Sequence, residues 1–203
     1  MIRSFALLAT LALAGCLAQA DGAAAQVTST AETERLLAAP PEGWTAVFAA
    51  NRPGVRIAEY VPPGESAAEW KEKLSFETFG GEPLPDPIGM LVAIAEDQRA
   101  TCNGFADHNT FSGLENGYPT SVRLFVCRNN VVTGRGQITL VKAIQGGRRV
   151  YVITRARRVA PIESDAVLPM AQEDMAEWSQ YARAISLCDP ADTAHPCPSK
   201  ASE

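Results

Sequence analysis

The chain has 203 residues, a formal net charge of −5 at pH 7 and a hydrophobic fraction of 46%. This length and composition are typical of one folded domain with a sizeable core. The acidic balance argues against a nucleic-acid partner, because nucleic-acid-binding domains usually carry a basic surface.

The first twenty residues have the pattern of an export signal. The start is short and basic, and the apolar run from Ser4 to Leu13 is too short to span a bilayer. Two processing sites compete. The stretch Leu13-Ala14-Gly15-Cys16 resembles the bacterial lipobox, whose cysteine becomes the lipidated first residue, whereas Ala18-Gln19-Ala20 resembles an ordinary A-x-A cleavage site. We favour lipidation at Cys16, and either site predicts a location outside the cytoplasm, in the periplasm or on a membrane.

Residues 21–40 are expected to form a tether and a short helix. The run from Asp21 to Thr30 is polar and rich in alanine, as a tether would be. The capping box Ser29-Thr30-Ala31-Glu32 predicts a helix that reaches Ala38 and stops before Pro40. A single domain over 41–189 and an irregular tail over 190–203 are expected to follow.

The domain opens with alternating strand and helix signals. Turn residues separate two apolar runs, which predicts a hairpin over 44–50 and 55–61. A second capping box at Ser66 predicts a short helix that carries Trp70 and Leu74. The stretch from Lys73 to Phe79 could continue this helix or form a strand, and we favour a strand from about Leu74.

A longer helix is predicted after Asp86, because Asp is a favoured N-cap and Pro87 suits the first helical position. Two strands joined by a turn at Asn116-Gly117 follow, over 103–114 and 121–127. The apolar spacing of the helix predicts a buried stripe of Ile88, Leu91, Val92 and Ala95.

The stretch 137–159 is predicted to be the central hairpin. The dipeptide Gly146-Gly147 lies between two β-prone runs and favours a type I′ turn, in which both central residues have positive φ. That turn places Ile144 opposite Arg149 and Lys142 opposite Tyr151. Both faces of the hairpin are apolar near the middle, so helices are expected to cover them.

A last helix over 169–187 completes the predicted elements. Their order indicates an α+β fold, with a mainly antiparallel β-sheet and helices packed on it as in an α/β/α sandwich. The residues of this helix expected to face the sheet are Met170, Met175, Trp178, Tyr181, Ala182, Ile185 and Leu187.

Four cysteines remain beside Cys16, and an even number in an exported chain suggests disulfides. Four cysteines allow three connectivities, of which we favour Cys102–Cys127 and Cys188–Cys197. The alternative, a redox pair, lacks a C-x-x-C motif.

Four short sequences stand out as a set. They are Glu59-Tyr60-Val61-Pro62 with Gly64-Glu65 and Trp70, Asn116-Gly117-Tyr118-Pro119 before Cys127, Lys142-Ala143-Ile144-Gln145-Gly146 before Tyr151-Val152, and Trp178 before Cys188-Asp189. Together they resemble a family of small exported proteobacterial proteins of unassigned function, over Trp44 to Asp189. The resemblance implies an exported location and a shared fold, and no functional residues. The order of elements is also similar to PsbP/Mog1-type sandwiches, which concerns the fold alone.

A catalytic interpretation would centre on His108. Asp107 precedes it, and Ser112 or Cys102 could supply a nucleophile. The competing interpretation, a surface strand residue near a turn, is the one we favour.

A metal site is not expected, and neither is a cofactor. Asp189, Asp192, His195 and Cys197 lie close in sequence, but their spacing matches no zinc pattern, and Cys197 has a disulfide partner available. No phosphate-binding loop is present in the sequence.

Arginines concentrate on the second strand of the central hairpin. In an acidic protein this local positive charge predicts an anionic partner, such as a lipid headgroup or a small anionic ligand, at a polar edge patch. The competing interpretation is a solvated strand end. The residues assigned to the patch are Arg149, Tyr151, Arg155 and Arg157.

The sequence therefore predicts a non-enzymatic binding or accessory protein of the cell envelope, periplasmic or lipid-anchored. Its expected partner is an envelope protein or a small anionic ligand, with membrane contact only through the N-terminal anchor. The alternative is a small periplasmic hydrolase that uses His108.

Overall fold

The computed structural model describes residues 33–163 and 168–198. The predicted signal peptide with Cys16, the tether, the capping box at Ser29 and the last five residues of the tail lie outside the described residues. The elements, in chain order, are β1 (Arg35–Leu37), β2 (Thr45–Arg52), β3 (Val55–Val61), β4 (Glu72–Gly80), α1 (Pro87–Ala100), β5 (Cys102–Glu115), β6 (Tyr118–Asn130), β7 (Arg135–Gln145), β8 (Arg149–Val159), α2 (Gln172–Ala184) and β9 (Ser186–Cys188).

Two antiparallel meanders form one seven-stranded sheet. They are β2-β3-β4 and β5-β6-β7-β8, and they join through the pairing of β4 with β8. Helix α1 connects the meanders and carries the chain from β4 to the far edge, where β5 lies. The sheet order β2-β3-β4-β8-β7-β6-β5 makes β8 the central strand. The predicted α+β fold with a mainly antiparallel sheet is confirmed.

The two helices cover opposite faces of the sheet. Val141, Ala143, Val150 and Val152 pack with Leu91 of α1. Their neighbours along β7 and β8 point to the other face, because side chains alternate along a strand. On that second face Ile138 and Leu140 pack with Trp178, and Ile144, Tyr151 and Ile153 pack with Ile185 and Leu187. The predicted division of the hairpin into two apolar faces is therefore confirmed.

Two predicted short helices are not found in the part of the chain that the structure describes. Arg35–Leu37 is a strand that pairs with β9, and Leu36 packs into the core there. Residues 67–69 form bends instead of a helix, although the Ser66 hydroxyl oxygen accepts a hydrogen bond from the Glu69 amide at 3.1 Å. The side chain of Trp70 is buried against Val61 and Ala156 instead. In both places packing on the sheet overrides a local capping signal.

Helix α1 begins where the sequence predicts, with a different buried stripe. The Asp86 carboxylate accepts from the Gly89 amide at 2.9 Å, and Pro87 is the first helical residue. Leu91 and Ala95 are buried as expected, but the side chains of Ile88 and Val92 are 47% and 41% exposed. The helix faces the sheet through residues spaced by four, starting at Pro87, so two of the four predicted residues lie outside the buried stripe.

The central hairpin differs from its predicted register by two residues. Ile144 pairs with Tyr151, and Lys142 pairs with Ile153. The amide of Gly146 donates to the Arg149 carbonyl at 2.8 Å, so the central turn residues are Gly147 and Arg148. Neither Gly146 nor Gly147 has a positive φ, and the predicted type I′ turn is wrong. A shift of two residues leaves every side chain on its predicted face.

Glu34 explains why glycine occupies position 146. Its carboxylate accepts from the Gly147 amide at 2.8 Å and from the Tyr151 hydroxyl at 3.3 Å. A Cβ on Gly146 would overlap that carboxylate. The glycine therefore serves a close approach between distant segments and not a turn conformation.

Helix α2 ends at Ala184, earlier than predicted, because Ser186–Cys188 is the strand β9. Ile185 and Leu187 are nevertheless buried in the core as expected. The polypeptide thus leaves the helix and pairs at once with β1.

Both favoured disulfides are present. Cys102–Cys127 links the start of β5 to β6, and Cys188–Cys197 closes the tail onto β9, with Cα separations of 5.6 and 4.8 Å. Such bonds persist in oxidising compartments, which indicates an extracytoplasmic protein. In the described residues, no helix has the length and apolar character needed to cross a membrane.

Candidate functional site

The predicted anion site lies in the middle of the sheet and not at its edge. Strand β8 carries all four of its residues, and β8 is the central strand. Tyr151 is buried, Arg155 is only 5% exposed, and Arg149 and Arg157 are half-buried. The interpretation of this segment as a solvated strand end is wrong, because the second face of the sheet is covered here.

Acidic side chains and aromatic rings surround Arg155. Its Nε donates to Glu72 at 3.0 Å, and one terminal nitrogen donates to Glu177 at 2.9 Å. The guanidinium lies over the rings of Trp44, Trp178 and Tyr181, with its central carbon 5.7, 5.2 and 5.5 Å from their centroids. This arrangement holds α2 against β8 and β4.

Acidic side chains compensate the positive charge of Arg157 in the same way. It hydrogen-bonds Asp174 in the first turn of α2 and lies 3.7 Å from Glu72. Burial lowers the pKa of Arg157, but the bond to Asp174 and the charge of Glu72 outweigh it, so the pKa is raised. The hydrogen bond from Arg157 holds the pKa of Asp174 below its usual value. These pairs cancel the charge that suggested an anionic partner, and anion binding here stays a prediction.

The residues of the hydrolase alternative do not assemble into a catalytic group. Asp107 forms an ion pair with Arg123 at 2.7 Å, and Cys102 is bonded to Cys127. The hydroxyl of Ser112 lies 3.1 Å from that of Ser121. His108 is exposed on the edge strand, and within residues 33–163 and 168–198 it makes no hydrogen bond or ion pair with a carboxylate, a hydroxyl or a thiol.

The acidic residues of the tail have structural partners. Asp189 accepts from the Thr33 hydroxyl at 2.7 Å, and Asp192 bonds His195 at 2.8 Å. The His195 ring lies tilted against that of Tyr118, with centroids 4.1 Å apart. Within 33–163 and 168–198, no group of three His, Cys, Asp or Glu side chains is arranged to hold a metal ion.

A cavity of about 320 Å³ lies between α2 and the edge strand β5, over the sheet face of β6 and β7. It exists because α2 packs over the middle of the sheet and leaves the face beside β5 uncovered. Its lining is mostly apolar, with a few polar groups at the rim. The lining residues are Thr110, Phe111, Glu115, Val122, Leu124, Leu140, Met175, Trp178, Ser179, Ala182 and Arg183.

A bulge in β5 shapes one wall of the cavity. The register with β6 shifts between Asn109 and Phe111, so Thr110 is the extra residue. Successive residues of a regular strand point to opposite faces, but a bulge re-aims them. Thr110 and Phe111 therefore both line the cavity.

Helix α2 forms the opposite wall with two rows of side chains. Trp178 and Ala182 belong to the row that contacts the sheet, and Trp178 is 1% exposed. Met175, Ser179 and Arg183, each four residues from the next, form the outer row. Residues four apart lie on one side of a helix, so this row runs along the cavity.

At the end of the cavity near the C-terminus of α2, the partly buried lining residue Glu115 forms an ion pair with Lys142. The ammonium of Lys142, 2% exposed, bonds Glu115 and also donates to the carbonyls of Ala182 and Ile185 at 2.8 and 2.7 Å. Three acceptors need three N–H groups, so Lys142 is protonated. Burial lowers its pKa, and the bond to Glu115 opposes this effect. Glu115 is thereby neutralised, and the last carbonyls of α2 are capped.

The sequence patterns predict no cavity here. They place Met175, Trp178 and Ala182 in the core and indicate no role for Arg183. One signal for the cavity was present in the sequence. Beside the apolar row of α2 lies a second row of residues spaced by four, Met175, Ser179 and Arg183. No pattern in the sequence showed that α2 stops short of β5.

No protein-family model matches the sequence, and no curated protein matches it. Among solved structures the chain is similar to LpqN, described as involved in cell envelope biogenesis of Mycobacterium tuberculosis. The TM-score is 0.36 at 10% sequence identity, over 76% of this chain and 82% of that chain. A TM-score and an identity this low assign neither a fold family nor a function to this chain.

Proposed function

We propose that this chain is a non-enzymatic, extracytoplasmic binding protein whose cavity between α2 and β5 holds a small apolar ligand. The cavity carries the proposal. Its volume of about 320 Å³ falls at the lower end of the range for small-molecule sites, about 300–1,000 Å³. Apolar walls with a few polar rim groups are the usual composition of such sites.

The shape of the cavity favours a small molecule over a protein partner. Its floor consists of Val122, Leu124 and Leu140, with side chains of α2 on one side and of β5 on the other. Stable protein interfaces bury about 800 Å² on each partner and are much broader than this cleft. A compact apolar ligand would fill it and remove Phe111, 38% exposed, from water.

A variant that fills the cavity tests the proposal. Ala182 lines the cavity from α2, so Ala182→Phe would place a ring inside it. We expect the apolar dye N-phenylnaphthylamine to fluoresce on binding to the wild-type protein and to lose about tenfold in affinity for the variant.

The matched control is Ala93→Phe, on the exposed side of α1. It adds the same ring outside the cavity and should bind the dye like the wild type. Equal affinity of Ala182→Phe and the wild type, with circular dichroism showing both folded, would overturn the proposal. So would a wild-type protein that does not bind the dye.

The location is proposed to be the cell envelope, with Cys16 as a lipid anchor. The two disulfides support export, and the lipobox supports the anchor. We expect Cys16→Ser to move the protein from the membrane fraction to the soluble fraction of the envelope. An unchanged distribution would exclude the anchor and leave the binding proposal intact.

A further inference from the structure

We infer that the ligand is an anionic amphiphile whose carboxylate pairs with Arg183, while its apolar chain extends along α2 toward Met175. This inference depends on the proposed function and specifies the chemistry of its ligand. The inference rests on the polar groups that line the cavity and on which of them already have a bonding partner.

Arg183 is the uncommitted cation of the cavity. Within the described part of the chain, its guanidinium makes no hydrogen bond, ion pair or ring contact. The other polar lining groups are engaged. Thr110 donates to the Val122 carbonyl at 2.7 Å, and Ser179 donates to the Met175 carbonyl at 2.8 Å. The cavity thus offers a ligand one charged donor at its rim.

The local charge favours an anion at this end. Glu115 would repel a carboxylate, but the ammonium of Lys142 neutralises it. No ion pair joins Glu115 and Arg183, so the Arg183 charge is not cancelled. The sum over Glu115, Lys142 and Arg183 is one positive charge. A cationic ligand would meet repulsion at the same position.

The geometry of α2 sets the direction of the ligand. Lys142 bonds the carbonyls of Ala182 and Ile185, so the charged end lies at the C-terminus of the helix. Met175 and Arg183 are separated by eight residues, about 12 Å at 1.5 Å per residue. The floor between them is apolar. A chain of medium length therefore fits with its head at Arg183 and its tail at Met175.

The test compares three probes of equal chain length: decanoate, decanol and decylammonium. Titration calorimetry at low ionic strength, below micelle-forming concentrations, should show decanoate binding about fivefold tighter than decanol, the range expected for an exposed charge pair. Decylammonium should bind most weakly. Added salt should reduce the preference for the acid, because exposed charges are screened.

Two variants assign the preference to Arg183. Arg183→Gln should remove the advantage of decanoate over decanol, and Arg183→Lys should keep most of it. Arg99→Gln is the matched control, since Arg99 is an exposed cation in the last turn of α1 whose partner is Glu96. It should leave the preference for the acid as in the wild type.

The outcomes separate the two proposals. Equal affinity for decanoate and decanol, or a preference that survives Arg183→Gln, overturns the inference and leaves the apolar site standing. Absence of binding by all three probes overturns both. A ligand-free dimer in sedimentation analysis that Ala182→Phe dissociates would show that a second copy occupies the cleft, which also overturns both.

Discussion

Glu72 on β4 accepts a hydrogen bond from Nε of Arg155 on β8 at 3.0 Å. The same carboxylate oxygen accepts from the indole nitrogen of Trp178 on α2 at 2.8 Å. One half-buried carboxylate therefore ties together the two meanders and the helix that borders the cavity. Because Arg155 is buried, its charge depends on this partner.

Glu72→Ala is expected to destabilise the protein strongly. The substitution leaves the buried Arg155 cation and the Trp178 N–H without their common acceptor, and breaking such a pair costs about 3–5 kcal/mol. Glu72→Gln should cost less, because its amide oxygen can still accept from Trp178. Urea denaturation followed by tryptophan fluorescence measures both losses of stability.

As a control, Glu96→Ala removes the exposed pair with Arg99 and should cost less than about 1 kcal/mol. Equal effects of Glu72→Ala and Glu96→Ala would contradict the assigned role.

Gly146→Ala and Gly147→Ala are expected to differ, although the two glycines are neighbours in one turn. A Cβ at 146 displaces the Glu34 carboxylate and its bonds to Gly147 and Tyr151, whereas a Cβ at 147 lies 3.8 Å from that carboxylate. We expect Gly146→Ala to lower the free energy of unfolding by about 1–2 kcal/mol, the usual value of lost hydrogen bonds, and Gly147→Ala to be nearly neutral.

Thermal denaturation checks this prediction on four variants: Gly146→Ala, Gly147→Ala, Glu34→Ala, and the double variant of Glu34→Ala with Gly146→Ala. If the two sites are coupled, the double variant should lose less stability than the sum of the losses in its two single variants. Additive losses would show that Gly146 is required for some other reason.

Removal of either disulfide should destabilise the fold, and removal of the disulfide that closes the longer loop should cost more free energy of unfolding. The cross-links span 25 and 9 residues. Loop-closure entropy gives about 3.5 kcal/mol for Cys102–Cys127 and about 2.7 kcal/mol for Cys188–Cys197. Paired Cys→Ala variants, compared by urea denaturation, measure both losses, and mass spectrometry without reduction should find no free thiol among these four cysteines. If removal of the disulfide with the shorter loop lost more stability, packing and not chain entropy would determine how much each disulfide stabilises the fold.

Alkaline pH should reduce stability partly through Tyr181. Burial raises the pKa of Tyr181 to about 12, and the charge of Arg155 opposes the effect. Between about pH 10 and about pH 12 the folded chain keeps a proton that the unfolded chain has lost, so stability falls as pH rises. At neutral pH, Tyr181→Phe loses the hydrogen bond to the Ala39 carbonyl at 2.7 Å. The difference in unfolding free energy between wild type and Tyr181→Phe should therefore shrink between about pH 8 and about pH 11. A constant difference would contradict this pKa.

Local patterns were sufficient to predict most of the strands and the start of α1. Alternation along β6, β7 and β8 separates the two faces, because the side-chain period of a strand is two whatever lies next to it. The Asp86 cap depends on residues three apart. Both disulfides match the favoured one of the three connectivities that four cysteines allow.

The tertiary structure alone decided the hairpin register, the short β1–β9 sheet and the environment of Arg155. Each depends on residues far apart in sequence: Glu34 contacts Gly147, Arg35 pairs with Cys188, and Glu72 contacts Arg155. The cavity depends on a further condition, the lateral position of α2 on the sheet. That position results from the packing of Trp178 on Ile138 and Leu140, together with the ion pairs of Arg155 and Arg157. Sequence periodicity specifies which side of a helix is apolar, but not how much of a sheet the helix covers.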